Sequence, residues 1–287
     1  MKLVTFHTGD GDFRPGVLDE EGVIDLRVAK SSLPTSLRGI LAADALGQVR
    51  ELVDGPTVAR VRHPILKAPI LDPQKIIGIG LNYRDHATES GMAIPDEPIV
   101  FNKFASALIG SEDVLRLPGI SNEVDYEAEL VVVMGRRAKR VAEDEAIEYV
   151  AGYTVGNDIS ARDWQLTKPG GQWLLGKSFD TFAATGPALV TKDEIPRPGS
   201  LSIRMRLNGR TMQDSNTCQL IFGTERLVAY LSQICTLEPG DLIFTGTPPR
   251  VGMARKPPVF LRPGDVCEAE VERLGVLRNH CVAGDGD

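Results

Sequence analysis

The stretch Glu123-Val-Asp-Tyr-Glu-Ala-Glu-Leu-Val-Val-Val-Met134 places an acid at every second position and then becomes continuously apolar. Because side chains alternate between the two faces of a β-strand, all four acids are expected to share one face. These acids are Glu123, Asp125, Glu127 and Glu129. The apolar run that follows indicates that the strand enters a buried sheet. It would carry Glu127 and Glu129 into the interior, where charged groups need partners.

Short apolar segments on both sides of this stretch predict an α+β protein that is mostly β. Residues 1–70 are interpreted as a small N-terminal α+β domain, because two prolines within 68–74 mark a linker before the next apolar run. Residues 71–287 are then the larger, catalytic domain, and its tail 283–287 is expected to fray. The predicted strands are 2–7, 16–19, 22–26, 76–79, 127–134, 151–159, 188–191, 202–207, 242–245 and 266–271, and the predicted helices are 37–53, 143–150 and 223–233.

The composition is that of an ordinary globular protein of enzyme size, with 287 residues, 42% of them hydrophobic and 25% charged. The 32 Lys and Arg against 39 Asp and Glu give a net charge of −7, which disfavours nucleic acid as a partner because phosphate binding requires clustered cations. No apolar run approaches the roughly 20 residues that span a bilayer, and the first residues do not resemble a signal peptide. We expect a cytoplasmic protein without a membrane partner. The four cysteines form no C-x-x-C pair and are interpreted as reduced thiols.

A third acid completes a candidate metal site. Asp158 ends the predicted strand 151–159, where a sheet end positions a ligand well. Two buried carboxylates at i and i+2, such as Glu127 and Glu129, repel each other unless a cation lies between them, and Mg²⁺ or Mn²⁺ accepts oxygen ligands. Glu127, Glu129 and Asp158 are therefore candidate ligands of one such ion. The alternatives are an exposed acidic edge strand for the glutamates and a helix N-cap for Asp158.

A histidine and a glutamate form a candidate acid–base pair. His86 and Glu89 follow a predicted strand at a spacing that places them on one side of a short helix. A carboxylate beside an imidazole supports general-base action on water, although surface pairs at this spacing are frequent. The loop chemistry of residues 91–98 suits a lid over a site. Further polar candidates near these strands are Lys103, Arg162, Gln165 and Lys177.

Two nucleotide-binding patterns are judged coincidental. Residues 171–178 satisfy the P-loop pattern G-x-x-x-x-G-K-[ST], but a P-loop follows a strand, opens a helix and uses small residues, whereas this one holds Trp173 and follows a Lys-Pro-Gly-Gly turn. Gly78-Ile-Gly80 begins like a dinucleotide fingerprint, yet Tyr83 occupies the third glycine position. Neither an NTPase nor a dinucleotide-binding enzyme is favoured.

Five motifs in order over residues 70–280 resemble the fumarylacetoacetate hydrolase family, and closely its fumarylacetoacetate hydrolase domain-containing branch. The resemblance implies a mixed β-roll or sandwich fold that follows a small N-terminal domain and usually forms a homodimer. The motifs are N-Y-x-x-H-x-x-E (82–89), D-Y-E-x-E-L (125–130), N-D-x-S-A-R-D-x-Q (157–165), G-K-x-F-D-T-F (176–182) and T-G-T-P-x-x-V-G (245–252).

The same resemblance assigns roles by position. The implied metal ligands are Glu127, Glu129 and Asp158. The implied catalytic residues are His86, Glu89 and Lys177. The implied substrate-binding residues are Arg162, Gln165 and Thr247. The ligands would hold one Mg²⁺ or Mn²⁺ per subunit, the His-Glu dyad would activate water on a lid, and the lysine would stabilise an enolate or oxyanion.

The implied chemistry is that of small 2-oxo acids. The leading hypothesis is a metal-dependent hydrolase that cleaves a C–C bond in acylpyruvate-like 2,4-diketo acids through an enolate stabilised by the metal. The alternatives on the same residues are an oxaloacetate tautomerase or decarboxylase and an isomerase of 2-hydroxy-dienoic or 2-oxo acids. A family member that binds metal without catalysis is a further alternative, which the retained His-Glu dyad disfavours.

Overall fold

The computed structural model describes residues 1–9, 11–55 and 59–284. Strands dominate it. The strands are β1 (Lys2–His7), β2 (Arg14–Asp19), β3 (Gly22–Asp25), β4 (Arg60–Val61), β5 (Ile65–Lys67), β6 (Ile76–Gly80), β7 (Ile99–Lys103), β8 (Leu108–Ile109), β9 (Val114–Leu117), β10 (Val124–Asp125), β11 (Ala128–Met134), β12 (Val150–Asp158), β13 (Ser160–Ala161), β14 (Ala183–Thr191), β15 (Ser202–Leu207), β16 (Arg210–Asn216), β17 (Leu242–Phe244), β18 (Val266–Val271) and β19 (Gly275–Ala283).

The helices are short. The α-helices are α1 (Leu26–Ala29), α2 (Leu37–Ala42), α3 (Leu46–Val53), α4 (Arg84–Ser90), α5 (Arg162–Thr167), α6 (Trp173–Lys177) and α7 (Thr224–Ile234), and 3₁₀ turns cover Ala105–Ala107, Ala146–Tyr149, Lys192–Glu194, Pro198–Ser200, Thr217–Gln219 and Gly252–Ala254. Within the described ranges, no helix is both long and apolar enough to cross a membrane.

Two mixed sheets form the body of the protein, as predicted for a mostly β fold. The larger has the order β4-β3-β2-β1-β14-β12-β11-β17-β6-β7, with β5 beside β1 and β8 beside β14. The smaller has the order β16-β15-β18-β19-β9. Most neighbours are antiparallel, whereas β17–β6, β14–β8 and β19–β9 are parallel. The mixed β architecture implied by the sequence is confirmed.

The core lies between the sheets. Every residue of β11 and β12 is buried, because their apolar runs are covered on both faces. In β15 and β18 burial alternates, so one face of the smaller sheet packs inwards and the other meets solvent. Met205 and Ala269 from that inner face join Val131 and Val155 in one hydrophobic cluster. The central strands therefore form a rigid base for the groups at their ends.

The N-terminal segment extends the larger sheet. Strand β1 pairs with β14 through Lys2 with Val190 and Leu3 with Leu189, so β1 to β5 belong to the same sheet as the central strands β11, β12 and β14. The division near residue 70 stays a proposal. Fraying of the tail 283–287 stays a prediction; at its start, β19 runs through Ala283 and the Gly284 N–H donates to the Leu117 carbonyl at 2.8 Å. The remaining tail, 285–287, lies outside the described residues.

Two of the three predicted helices differ from those observed. The segment 37–53 forms α2 and α3 rather than one helix, because Asp44 between them adopts a left-handed φ of 50°. The segment 143–150 contains only a 3₁₀ turn before β12 begins. The third, predicted over 223–233, is present as α7 and buries Leu227 and Leu231, whereas Ile234 at its end is 67% exposed.

Candidate active site

Antiparallel pairing of β11 and β12 brings the three predicted metal ligands together. Ala128 pairs with Asn157, so the start of β11 lies beside the end of β12, and the Asp158 N–H donates to the Glu127 carbonyl at 2.9 Å. Carboxylate oxygens of Glu127, Glu129 and Asp158 all lie within 4.8 Å of one another, and all three residues are buried. The alternatives of an exposed edge strand and a helix N-cap are therefore wrong.

Cations surround two of the three carboxylates. Lys177 Nζ donates to Glu127 Oε2 and Asp158 Oδ2, each at 2.7 Å. Arg162 Nη2 lies 2.6 Å from Glu127 Oε1. Burial opposes ionisation of Glu127, yet Lys177 and Arg162 outweigh it and lower its pKa to about 2. Burial also disfavours the ammonium of Lys177, but Asp158 and Glu127 hold the pKa of Lys177 above its ordinary value. Lys177 is thus a cationic donor rather than a base.

Glu129 is the uncompensated member of the triad. Its Oε2 accepts the Gly246 N–H at 2.7 Å, and within the described residues no Lys, Arg or His forms an ion pair with it. Burial, followed by the charges of Asp158 and Glu127, raises the pKa of Glu129 well above its ordinary value. A divalent cation among these oxygens would remove that repulsion and allow Glu129 to ionise. The donor set therefore fits a hard divalent cation such as Mg²⁺ or Mn²⁺.

A second lysine, Lys103, supports Asp158. Its Nζ is buried, contacts Asp158 Oδ1 and donates to the Ile159 carbonyl at 3.0 Å. Burial, only partly opposed by Asp158, lowers the pKa of Lys103 to about 8. The sequence placed Lys103 near the site without a role. Lys103 lies at the end of β7, far from Asp158 in the sequence. Only the folded structure shows that this end of β7 borders the site.

Arg162, predicted to bind substrate, is paired with several protein groups. Its Nε donates to Asp125 Oδ2 at 2.9 Å, its Nη1 to Gln165 Oε1 at 2.9 Å, and its Nη2 contacts Glu127. Arg162 is 5% exposed, and its buried guanidinium holds the neighbouring side chains of the site in position. Arg162 and Gln165 both line the cavity described below, and Gln165 is oriented by Arg162.

Asp125 joins Arg162 to a distant loop, a role that sequence reasoning missed. Its Oδ1 accepts the N–H groups of Tyr126 at 2.8 Å and Gly252 at 2.6 Å, while its Oδ2 accepts Met253 N–H at 3.0 Å as well as Arg162. A Cβ on Gly252 would lie 2.5 Å from Asp125 Oδ1 and 2.0 Å from the Val259 carbonyl, so only glycine fits there. The expected continuous strand is wrong, because it breaks after Asp125 and resumes at residue 128.

The predicted dyad lies across the cavity on α4. His86 Nδ1 is 3.5 Å from Glu89 Oε2, and that oxygen also accepts the Arg250 N–H at 2.9 Å. The start of α4 is held by Asn82, whose side chain donates to the Thr245 carbonyl at 2.7 Å and accepts the Phe222 N–H at 2.8 Å. Met92, from the predicted lid segment 91–98, lines the same cavity.

These groups enclose a cavity of about 450 Å³. Phe101 and Trp173 form an edge-to-face wall with ring centroids 5.6 Å apart, and Lys177 Nζ lies 5.0 Å from the Phe101 centroid. Gly78 and Gly80 admit these rings, because a Cβ would lie 2.2 Å from Phe101 or 2.5 Å from Trp173. The lining residues are Ile79, Gly80, Leu81, His86, Glu89, Met92, Ile99, Phe101, Glu127, Arg162, Gln165, Leu166, Trp173, Lys177, Thr247, Val251, Met253 and Ala254.

The structure thus gathers all nine predicted site residues around one cavity or at its base. Thr247 is fixed by two hydrogen bonds, donating to the Ala128 carbonyl at 3.0 Å and accepting from Gln213 Nε2 at 2.9 Å. The P-loop pattern is coincidental, since Lys177 binds carboxylates and the bulky Trp173 begins α6.

Comparison with known proteins agrees with this geometry. The family described as fumarylacetoacetate (FAA) hydrolase C-terminal matches residues 75–282. The mitochondrial oxaloacetate tautomerase of Xenopus laevis is 49% identical, over 98% of this chain and 90% of its own length. The fumarylacetoacetate hydrolase structure from Exiguobacterium antarcticum is 32% identical with a TM-score of 0.87, covering 99% of both chains. The maleylpyruvate hydrolase from Sphingobium sp. SYK-6, in complex with manganese (II) and pyruvate, is 27% identical with a TM-score of 0.82, covering 99% of this chain and 100% of that one. The chain therefore belongs to the fumarylacetoacetate hydrolase family.

Proposed function

We propose that the protein is a divalent-cation-dependent enzyme of small 2-oxo acids whose reaction is the keto–enol tautomerisation of oxaloacetate. The observation that carries this proposal is the buried triad of Glu127, Glu129 and Asp158 at the base of a cavity whose opposite side holds His86. The 49% identity to an oxaloacetate tautomerase over nearly the whole chain supports the choice of substrate.

The ion's contribution is simple. A Mg²⁺ or Mn²⁺ held by the three carboxylates supplies a Lewis acid that polarises a 2-oxo group and stabilises negative charge on its oxygen. The buried ammonium of Lys177 adds a second positive charge beside Glu127 and Asp158. This combination favours removal of a proton from the carbon next to the 2-oxo group.

His86 is the proton carrier in this proposal. The Glu89 carboxylate lies at Nδ1, which favours the tautomer with its proton on Nδ1 and leaves Nε2 as the basic atom. In the keto-to-enol direction His86 takes a proton from C3, and the oxygen on C2 accepts a proton from the resulting imidazolium or from water, which gives the enol; ketonisation runs the same two transfers in reverse. Arg250, through its N–H, holds Glu89 and so fixes the orientation of the imidazole.

A second candidate is hydrolysis of a C–C bond in acylpyruvate-like 2,4-diketo acids. The His86–Glu89 dyad favours it, since the same base would deprotonate a water that attacks a carbonyl further along the substrate. The apolar walls formed by Phe101 and Trp173 suit an acyl group at that end. The maleylpyruvate hydrolase neighbour supports this reading. Oxaloacetate decarboxylation and isomerisation of 2-hydroxy-dienoic acids use the same groups and are the remaining alternatives.

The deciding experiment supplies purified protein and Mg²⁺ with enol-oxaloacetate, acetylpyruvate and fumarylpyruvate, before and after EDTA. Tautomerisation is followed by loss of enol absorbance, hydrolysis by pyruvate release, and decarboxylation by CO₂ release. Accelerated enol decay without pyruvate supports the tautomerase. Turnover that EDTA leaves unchanged would refute the metal site, and absence of turnover on all three substrates would favour a non-catalytic family member.

His86→Ala separates the chemical roles. Both tautomerisation and hydrolysis should fall, because each needs the base, whereas decarboxylation needs no attacking water and should persist. Tautomerisation at the wild-type rate in this variant would contradict the role of His86 as the base.

A homodimer and a cytoplasmic location stay proposals. The tautomerase relative is named mitochondrial, so fractionation of the native cells is the appropriate test of location. Light scattering of the purified protein tests the dimer, for which a mass near twice 31.1 kDa is expected.

A further inference from the structure

A second cavity adjoins the active-site cavity and is lined mainly by cations. It has a volume of about 450 Å³ and shares Glu89 and Ala254 with the active-site cavity. We call it the cationic cavity, and its lining residues are Glu89, Arg210, Arg250, Ala254, Arg255, Lys256, Pro257 and Val259. Four of these eight residues carry positive charge, in a protein whose net charge is −7.

The side chains of these cations are not neutralised by protein carboxylates. Within residues 1–9, 11–55 and 59–284, the side chains of Arg210, Arg250 and Lys256 form no ion pair or hydrogen bond. The single acid of the cavity, Glu89, is already engaged by the Arg250 N–H at 2.9 Å and by His86 at 3.5 Å. The cavity therefore keeps a local positive potential.

Arg255 fixes part of that charge in place. Its Nη2 donates to the Met212 carbonyl at 2.6 Å and its Nε to the Tyr126 hydroxyl at 3.2 Å. Both partners are neutral, because burial, followed by the charge of Asp125, raises the pKa of Tyr126 to about 12. Among the described residues Nη1 of Arg255 makes no hydrogen bond, so a half-buried, oriented guanidinium retains a donor for a ligand.

The loop that carries three of the cations is rigid where it meets the active site. The Val259 N–H donates to the Gly252 carbonyl at 3.0 Å, and Asp125 holds the N–H groups of Gly252 and Met253. Arg250 is held in a left-handed conformation, with φ of 71°. The backbone from which these cationic side chains extend is thus held beside the dyad.

We propose that the cationic cavity is an anion-binding site that captures dicarboxylate 2-oxo acids at the mouth of the active site. This inference rests on the proposed function, because substrates of that class carry two negative charges at neutral pH. Fixed positive charge next to a cavity raises the local concentration of such anions and their rate of entry, and salt weakens the effect.

The test compares Arg210→Glu/Lys256→Glu with a control pair, Arg62→Glu/Arg197→Glu, which changes the net charge equally. All four residues are exposed, and Arg62 follows β4 at the end of the larger sheet opposite β6 and β7. At low ionic strength the test pair should raise KM for oxaloacetate roughly fivefold to tenfold and leave kcat unchanged. The ratio of the test-pair KM to the wild-type KM should fall towards one at 0.5 M NaCl. The control pair should have the same KM as the wild type.

Calorimetric titration of oxalate in the presence of Mg²⁺ gives a readout independent of turnover, and the same salt-dependent weakening is expected in the test pair alone. Equal affinities and equal KM in the two pairs would overturn the capture site while leaving the proposed function intact. A raised KM or weakened oxalate binding in the test pair that persists at high salt would also overturn the capture site, because such a persistent effect would indicate altered structure rather than electrostatics. Absence of wild-type turnover combined with salt-sensitive oxalate binding would instead count against the proposed reaction alone.

Discussion

Replacing Asp125 with asparagine tests whether this carboxylate holds the base of the active site together. Its Oδ1 accepts two backbone N–H groups, and an asparagine oxygen could still do so. Its Oδ2 accepts Arg162 Nε and the Met253 N–H, and an amide NH₂ in that place would face two donors. The substitution therefore leaves one buried donor, Arg162 Nε, and one partly buried donor, the Met253 N–H, without an acceptor.

The magnitude follows from those two donors. Each donor left unsatisfied costs about 1–3 kcal/mol, so Asp125→Asn should lower the free energy of unfolding by about 2–6 kcal/mol. Because Arg162 also orients Gln165 and Glu127, and Gly252 lies in the loop next to the dyad, kcat/KM should fall roughly a hundredfold. Urea unfolding and steady-state kinetics with saturating Mg²⁺ measure the two effects.

Asp241→Asn is the matched control. Asp241 is equally buried and accepts the Lys75 N–H at 2.9 Å, the Glu238 N–H at 2.7 Å and Lys75 Nζ at 2.7 Å, but it lies before β17, at the end away from Thr247. It should lose stability with little change in kcat/KM. If Asp125→Asn retained wild-type kinetics, or lost activity only in proportion to its unfolded fraction, the positioning role would be wrong.

Further predictions concern the metal site and its surroundings. EDTA should abolish turnover, and Mg²⁺ at a hundred times its Kd should stabilise the fold by about 2.7 kcal/mol, seen as a higher Tm. Glu129→Gln should leave the metal-free protein at least as stable, since the charge of Glu129 is disfavoured there, but should remove the rise in Tm with Mg²⁺; an undiminished rise would contradict its role as a ligand. Lys177→Met should leave Glu127 and Asp158 without a shared cation and reduce kcat by roughly 10²-fold or more, with Lys192→Met, a half-buried lysine that does not line the active-site cavity, as control; unchanged kcat in Lys177→Met would contradict an electrostatic role. Gly252→Ala should destabilise the protein and raise KM, because its Cβ would lie 2.0 Å from the Val259 carbonyl; unaltered urea unfolding would show that the loop can shift.

Local patterns predicted much of this molecule. Strand periodicity predicted that Glu127 and Glu129 share one buried face, and in the structure Glu127 directly precedes β11, Glu129 lies within it and Asp158 ends β12 beside them. The His86–Glu89 pair follows from helical spacing, and its assignment to one site with Lys177 came from the order of five motifs. These features depend on residues a few positions apart or on a recognisable series of motifs, so the sequence alone carries them.

Tertiary structure decided the rest. Arg162 is predicted to meet substrate and does line the cavity, but only the fold shows that its guanidinium also pairs with Asp125, Gln165 and Glu127. The single helix expected over 37–53 breaks at Asp44 because the chain must turn between two packed segments.

The cationic cavity shows most clearly what local sequence patterns could not predict. Arg210 ends a hairpin turn of the smaller sheet and Arg255 lies on a loop 45 positions later, so no local pattern relates them. The sequence by itself determined which strands form and which acids they carry. The pairing of strands that are distant in the chain decided which charges meet, because electrostatic interactions depend on separation in space and not on separation along the sequence.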